Sequence, residues 1–511
     1  MIVAITGATG NMGMCLMTAL ANAPAVADKL KVLCRSKAKA KNLLKTLETL
    51  KEKIEIVYGD LSDLNVCKDL VKGSDVVLNL GAVIPPTSDG NPKAAIACNV
   101  TGVKNLIAAI EEIKDNQPKL IHISSVAVYG NRTGEHKYGR VGDPLVSGPF
   151  ELYSSTKILG EYAVLQSNVA KWAVLRQTAI YHYNLFSDNL HDGLMFHTCF
   201  DAPLEWVTAK DSGILLLNFL KRYKDGTLPE EFWKKVYNIG GGKSCREYGY
   251  GTYDAGFKII GGSFQQFFKP WYNATRNFHG MWYYDSDELE KLFTFRGQSS
   301  ADYWKEMELK HKIYKMGKIV PAPIIAQFAV KRLLKDDNSP SHWVKQGDEA
   351  RAIAYFGGKD KFEQLKKLTW ADVKLPTDIP DPVPQSYEEK MAAYGYDIEK
   401  SDSEITIDDL KTVAEAHGGK CLTPLCFDGD MYKKLDWQTC DGEKFTADTY
   451  TVLRAGHWEH ALYKDFVWEF DRLAKVDKIF ARIWYDSHDK DENYRYYFDK
   501  DFVAHVDKLK D

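Results

Sequence analysis

The sequence predicts an α/β protein: a doubly wound parallel sheet with a smaller substrate-facing lobe and an additional C-terminal α+β module. Three observations carry this. Up to about residue 180, short β-branched runs alternate with stretches of helical period, the pattern of βαβ units. At 511 residues the chain exceeds the roughly 250 to 300 at which one core stops growing, so several bodies are expected. A proline-rich passage over 375–384 then interrupts regular structure ahead of a segment of different composition.

The strand candidates are 2–5, 30–34, 54–58, 75–79, 118–123 and 172–175, with helical period over 11–22, 36–50, 63–72, 94–114 and 151–168. Six strands in this alternation suit a doubly wound sheet, filling 1–180 of a first domain that runs to about 300. Its remainder carries the aromatic segments 264–271 and 278–284, which read as walls of a substrate lobe. A basic helical stretch over 301–335 and the proline-rich passage make a connector over 301–384, and 385–511 form the C-terminal module.

Composition narrows the classes of function. Hydrophobic residues make up 45% and charged residues 27%, and no run of about 18 uninterrupted apolar residues offers a membrane span. Met1 leads straight into a strand pattern, without the basic and apolar regions of a secretion signal. Nine scattered cysteines read as reduced thiols, and a net charge of -3 gives no general attraction to nucleic acid or acidic membranes. The expectation is a cytoplasmic protein with a small-molecule substrate, no nucleic-acid or membrane partner, and homo-oligomer formation left open.

The segment from Ile5 to Gly13, with Gly7, Gly10 and Gly13 spaced through it, follows an apolar strand and opens a helix. That context reads as a dinucleotide cradle: a tight turn, amides that approach a pyrophosphate, and a helix N-terminus that favours its charge. After the second strand, where an acidic residue would take the ribose hydroxyl of NAD, stand Arg35, Ser36 and Lys39. These cations and donors favour the 2′-phosphate of NADP, with NAD still possible. Asp60 and Leu61 end the third strand, where a carboxylate can accept from adenine, and Asn79, Gly81 and Ala82 end the fourth, where small residues let the ribose come close.

Ser125 ends the fifth strand, and Tyr153 and Lys157 lie one turn apart on the next helix. On one helical face, the ammonium is expected to stabilise phenolate and bring the tyrosine pKa down toward working pH. The tyrosine can then exchange a proton with a substrate oxygen while hydride moves at a nicotinamide.

The joint order of these motifs, together with Asn99-Val100-Thr101-Gly102 and Leu175-Arg176-Gln177-Thr178, resembles the extended short-chain dehydrogenase/reductase family, including its NAD-dependent epimerase/dehydratase group. The resemblance covers about residues 1–300 and implies a Rossmann sheet. It implies Tyr153 as acid/base, Lys157 on the nicotinamide ribose, Ser125 on the substrate oxygen and Asn99 in support of that geometry. It places Gly7, Thr9, Gly10, Asn11, Met12, Gly13, Asp60, Leu61, Asn79, Gly81, Ala82, Tyr153, Lys157, Gln177 and Thr178 around the cofactor.

Ser125 is followed by Val126 and Ala127, not by the acidic pair of the family's sugar dehydratases, so elimination of water is not expected. The run 144–153 and the aromatic segments suggest an apolar pocket. The reading that follows is NADP(H)-dependent interconversion of a carbonyl and an alcohol on an apolar, hydroxysteroid-like molecule. The alternatives are a nucleotide-sugar epimerase with tightly bound NAD and a dinucleotide-sensing regulatory protein.

In the C-terminal module, 418–422, 437–445 and 456–460 resemble a degenerate treble-clef zinc ribbon. Glu443 stands where a zinc-binding member would carry histidine, and 459–462 where it would carry a cysteine pair, so no metal is expected. An irregular zinc set of Cys421, Cys440, His457 and His460 is the alternative. The metal-free reading has Trp437, Phe445 and Trp458 as a core that packs on the catalytic domain or serves oligomer formation.

Overall fold

The computed structural model describes residues 1–311, 319–458 and 467–497. Its centre is a seven-stranded sheet of β1 (Ile2–Thr6), β2 (Lys29–Cys34), β3 (Ile54–Tyr58), β4 (Val76–Asn79), β5 (Lys119–Ser125), β6 (Trp172–Gln177) and β7 (Lys235–Ile239). The order is β3-β2-β1-β4-β5-β6-β7, and every pairing is parallel. This is a doubly wound sheet with its order reversing between β1 and β4, as the alternation of runs predicts.

A parallel sheet needs cover on both faces, which is why β4 and β6 are buried along their whole length and are apolar up to Leu78 and Leu175. On one face, α1 (Asn11–Ala21) sends Leu16 and Leu20 against Val3 and Ile5 of β1. On the other lies α2 (Pro92–Glu111), whose Leu106 and Ile110 share a core with Leu70, Val164 and Trp172. By length and composition α2 could cross a membrane; here its apolar surface is spent on this core. Next to it runs α3 (Leu152–Leu165), and beside α1 runs α4 (Ala209–Lys224). Thr208 caps α4 by accepting from the Asp211 amide at 3.0 Å, and Lys221, Arg222 and Lys224 complement its C-terminal dipole.

The seventh strand corrects the expected six. Asn238 sits inside it and breaks the apolar run that would have marked it, yet its side chain is satisfied by Tyr129 and Asp285 at 2.8 and 2.9 Å. Polar groups with partners can be buried, and a reading of hydropathy alone cannot see the partners.

The C-terminal module contains a three-stranded antiparallel sheet of β8 (Lys420–Cys421), β9 (Lys434–Gln438) and β10 (Lys444–Asp448). Trp437 and Trp458 lie in the same apolar cluster as Leu106 and Val164 of the sheet domain. Across the junction, the Tyr450 hydroxyl accepts from the Val236 amide of β7 at 2.8 Å. The proline-rich passage is strapped to the first domain by three tyrosines, whose hydroxyls donate to backbone carbonyls: Tyr138 to Pro380 at 2.5 Å, Tyr248 to Asp378 at 3.3 Å, and Tyr250 to Pro376.

The zinc-ribbon expectation is not supported. Among the described residues, no three His, Cys, Asp or Glu side chains are placed to hold a metal ion. Cys421 packs on the core that contains Trp437, Cys440 on a different one, and His457 bonds Glu161 of α3. His460 lies outside the described residues.

Candidate active site

The groups singled out from sequence converge at the carboxyl ends of the strands, where the reversal of strand order opens a crevice. Gly7 turns the chain with φ +68°, and a Cβ there would stand 2.7 Å from the backbone of Leu80 and Gly81. A Cβ on Gly13 would stand 2.2 Å from the Gly7 carbonyl, so the turn and α1 pack at backbone contact. Gly10 caps α1, its amide donating to the Gly7 carbonyl at 3.0 Å. The first-turn amides of Asn11 and Met12 have no partner within the helix and suit an anion. Thr9 and Asn11 are exposed beside them, while the Met12 side chain is buried in the core.

Asn79 does not face the crevice. It accepts from Thr6 Oγ1 at 2.7 Å and lies 3.0 Å from His122 Nδ1, while Thr6 Oγ1 accepts from the Gly81 amide at 2.9 Å. This chain fixes the turn after β4 against the glycine turn. At the far side Arg35, 64% exposed, lies 3.5 Å from Asp60. Burial would raise the Asp60 carboxyl, but hydrogen bonds from Ser62 and the charge of Arg35 hold it below the usual range. Ser36 caps the following helix by accepting from the Lys39 amide at 3.4 Å, and the Lys39 side chain is exposed. Leu61 is buried against Gly102, and Ala82 lies half-buried beyond Gly81. A cradle shaped for close backbone approach, amides free for an anion and cations at the edge fit a nicotinamide dinucleotide.

Tyr153 stands on the first turn of α3, which is secured by the hydroxyls of Ser154 and Ser155 donating to the Glu151 carbonyl at 2.9 and 3.0 Å. Its phenol hydrogen-bonds Ser125. Lys157, one turn on, donates to the Ile123 carbonyl of β5 at 2.6 Å. The expectation that the ammonium acidifies the phenol is corrected here. Burial raises the Tyr153 pKa, with only the Ser125 hydrogen bond acting the other way. Burial also brings Lys157 down to about 8, with Cys98 and Glu161 pulling it back up. The lysine spends its proton on a backbone carbonyl, and a buried phenol stays protonated.

Asn99 lies in a π-helical turn of α2 and clamps both backbone groups of Val83, at 2.8 and 2.9 Å, and Thr156 Oγ1 at 3.1 Å. Its amide is fully used, so it positions α3 against the end of β4. Gln177 likewise spends its amide, accepting from the Ser212 hydroxyl at 3.2 Å and donating to the Thr178 carbonyl at 3.1 Å. These two shore up the floor of the crevice.

Tyr153 also lines a cavity of about 190 Å³. Phe150, Phe278, Tyr253 and Tyr355 supply aromatic wall; Phe150 comes from the run 144–153 and Phe278 from one aromatic segment, while Tyr253 and Tyr355 come from neither and no described lining residue comes from 264–271. The cavity is not simply apolar. Asp89, Glu151, His197 and His279 also line it, and among the described residues no lysine or arginine does. His279 Nδ1 lies 3.2 Å from both Glu151 oxygens; burial works against its charge, but Glu151 prevails and its pKa is raised. Burial pushes His197 down to about 4. Asp89 keeps exposure to solvent, yet the surrounding protein and the neighbouring Glu151 bring its carboxyl up to about 7. Sequence reasoning missed Asp89, His197 and Tyr355, which come from three distant segments with no shared motif. Glu151, two residues before Tyr153, was within reach of it.

With that geometry in place, the comparisons divide the chain. Residues 3–196 match the model of the NAD dependent epimerase/dehydratase family. Similar curated proteins include the human 3 beta-hydroxysteroid dehydrogenase type 7, 26% identical over 151 residues, covering 27% of this chain and 40% of that protein. The UDP-glucose 4-epimerase of Mycoplasma genitalium is 32% identical over 137 residues, covering 26% and 38%. The dTDP-4-dehydrorhamnose reductase of Mycolicibacterium smegmatis is 32% identical over 116 residues, covering 22% and 34%. The chain thus spans two fifths or less of the length of these relatives. Among solved structures, a dTDP-glucose 4,6-dehydratase of Streptomyces venezuelae with NAD bound has a TM-score of 0.49 at 18% identity, covering 61% of this chain and 97% of that one. A UDP-glucuronic acid 4-epimerase of Bacillus cereus in complex with NAD has 0.45 at 20%, covering 62% and 100%.

Proposed function

We propose that the protein is an NADP(H)-dependent oxidoreductase that interconverts a carbonyl and an alcohol on a small molecule. The observation that carries this is the position of Tyr153: hydrogen-bonded to Ser125, one helical turn from Lys157, and in the wall of a cavity of about 190 Å³. A reduced nicotinamide held by the glycine turn and Arg35 would supply hydride chemistry at the carbonyl carbon. Ser125 orients the substrate oxygen, and the protonated Tyr153 phenol gives it a proton as the C=O π bond becomes one C–H and one O–H bond. Lys157 and Ile123 hold the base of α3 where the tyrosine needs it.

Preference for NADP rests on Arg35, with Ser36 and Lys39 behind it, at the end of β2. The absence of lysine and arginine from the described cavity lining favours an uncharged or cationic substrate over a nucleotide sugar, whose diphosphate needs cationic partners. The test is consumption of NADPH in a screen of ketones, compared with NADH and with Tyr153→Phe. A variant that binds NADPH normally but no longer oxidises it supports the reading. Unchanged turnover in that variant removes Tyr153 from the mechanism.

A further inference from the structure

The basic stretch that the sequence marks out over 301–335 supplies no described residue to the cavity beside Tyr153. From Leu309 to Lys335 the sequence carries six lysines, one arginine and no aspartate or glutamate. The net charge of -3 for the whole chain averages this run away. Within it, the helix formed by Ala322–Ile325 and Ala326–Val330 turns Ala322, Ile325, Ala326 and Val330 inward, onto the cluster that holds Phe257 and Phe264. Its outer face is apolar as well. Ile324 and Phe328, one turn apart, are 47% and 71% exposed, and Ile319 and Val320, just ahead of the helix, are 83% and 41% exposed. Exposed Lys331, Arg332 and Lys335 follow at once. Asp336 and Asp337, which end the run, engage the Asn338 amide at 3.0 Å and His342 at 3.7 Å.

Apolar side chains exposed singly are ordinary, whereas several that adjoin mark an interaction surface. Charge decides what covers this one. The residues 319–330 carry no charge and are bounded by Lys318 and Lys331, so the row is apolar at its centre and cationic at its ends. It is too short to span a bilayer, which takes about 20 apolar residues. Lying flat on one, it can put its apolar side chains at the acyl boundary and its cations among anionic headgroups. We propose that the face of Ile319, Val320, Ile324 and Phe328, with Lys331 and Lys335 beside it, docks the protein on the surface of a bilayer that contains anionic lipid. The inner side of the same helix shares its cluster with Met195 and Tyr253, which line the cavity, so docking sets that wall one helix away from lipid. The docking itself does not depend on the oxidoreductase reading.

The test sediments the full-length protein with vesicles of phosphatidylcholine, with and without phosphatidylserine, in low and in high salt. Two double variants accompany it: Ile324→Ser with Phe328→Ser, and Lys331→Glu with Lys335→Glu. All four side chains are exposed, and an unchanged Tm in each variant shows that the fold is intact. The protein is expected to bind the phosphatidylserine vesicles, more weakly in high salt, and each double variant is expected to lose about tenfold or more in affinity. No binding, equal binding with and without phosphatidylserine, or affinity unchanged in both variants overturns the proposal. Loss in the lysine variant alone means adsorption by charge without insertion of the apolar face, and overturns it too. Concentration-dependent dimerisation that Phe328→Ser abolishes, with no vesicle binding, gives the face to a second copy of the chain instead.

Discussion

His457 Nε2 lies 3.0 Å from Glu161 Oε1, and this contact joins the C-terminal module to the helix that carries Tyr153 and Lys157. Glu161 is fully buried, accepts from Arg176 Nε at 3.2 Å, and is held far below the ordinary carboxylate range; burial opposes this, but Arg176 and His457 outweigh it. Arg176 in turn donates to Tyr129 and to the Ala455 carbonyl, both at 2.7 Å. A buried charge with its full set of partners is tolerated, and removing one partner exposes the desolvation cost of the rest.

Glu161→Gln is therefore expected to destabilise the protein by about 3 to 5 kcal/mol, because Arg176 is left as an uncompensated buried cation. His457→Ala removes a single hydrogen bond to a charged group and should cost about 1.5 to 3 kcal/mol. Urea unfolding of both variants checks the order. Equal losses, or none, would show that the junction does not hold α3.

Acid should weaken the fold in two stages. His197, lowered to about 4 by burial, and His457, also lowered by burial, are neutral in the folded state and charge readily once unfolded. A histidine whose folded pKa is depressed favours the folded state above its unfolded pKa of about 6.5 and loses that contribution as pH falls toward the folded value, at about 1.4 kcal/mol per pH unit per group. Glu161 contributes above its unfolded pKa of about 4.3 and fails only at lower pH. Denaturant midpoints from pH 8 to 4 should fall steadily below about 6.5 and be shallower in His197→Gln.

Gly13→Ala places a methyl 2.2 Å from the Gly7 carbonyl, so α1 has to move off the turn. The anion cradle moves with it. NADPH affinity should drop by about tenfold or more, a loss of about 1.4 kcal/mol of binding, and fluorescence titration reads it directly.

Arg35→Ala should weaken NADPH binding by about tenfold while leaving NADH within about twofold, since the guanidinium serves the 2′-phosphate and releases Asp60 when it goes. Parallel loss of both cofactors would mean that Arg35 acts on adenine or on local folding.

Tyr153→Phe should lower kcat by about 10² to 10⁴ with NADPH affinity nearly unchanged, the range for loss of a positioned acid. Activity of the unaltered protein should also fall above about pH 8, where Lys157 loses its proton and its grip on the Ile123 carbonyl changes. A pH profile flat from 7 to 9.5 would take Lys157 out of the working site.

Much of this was written locally in the chain. The spacing of Gly7, Gly10 and Gly13 after an apolar strand dictates a turn that only backbone can fill, and the spacing of Tyr153 and Lys157 dictates one helical face, so both were legible without a fold. Six of seven strands follow from short apolar or β-branched runs, five of them largely buried and the edge strand β3 only partly. Distance in sequence hid the rest. The seventh strand depends on partners for Asn238 from Tyr129 and Asp285, the acid pair joins Asp89 to Glu151, and Tyr355 reaches them from far down the chain. The protonation of Tyr153 was misjudged for the same reason: a period along a helix says which groups are neighbours, whereas burial and the Ile123 carbonyl decide what the ammonium does. Local spacing fixes geometry within an element, and only tertiary packing sets the desolvation and the partners that tune charge.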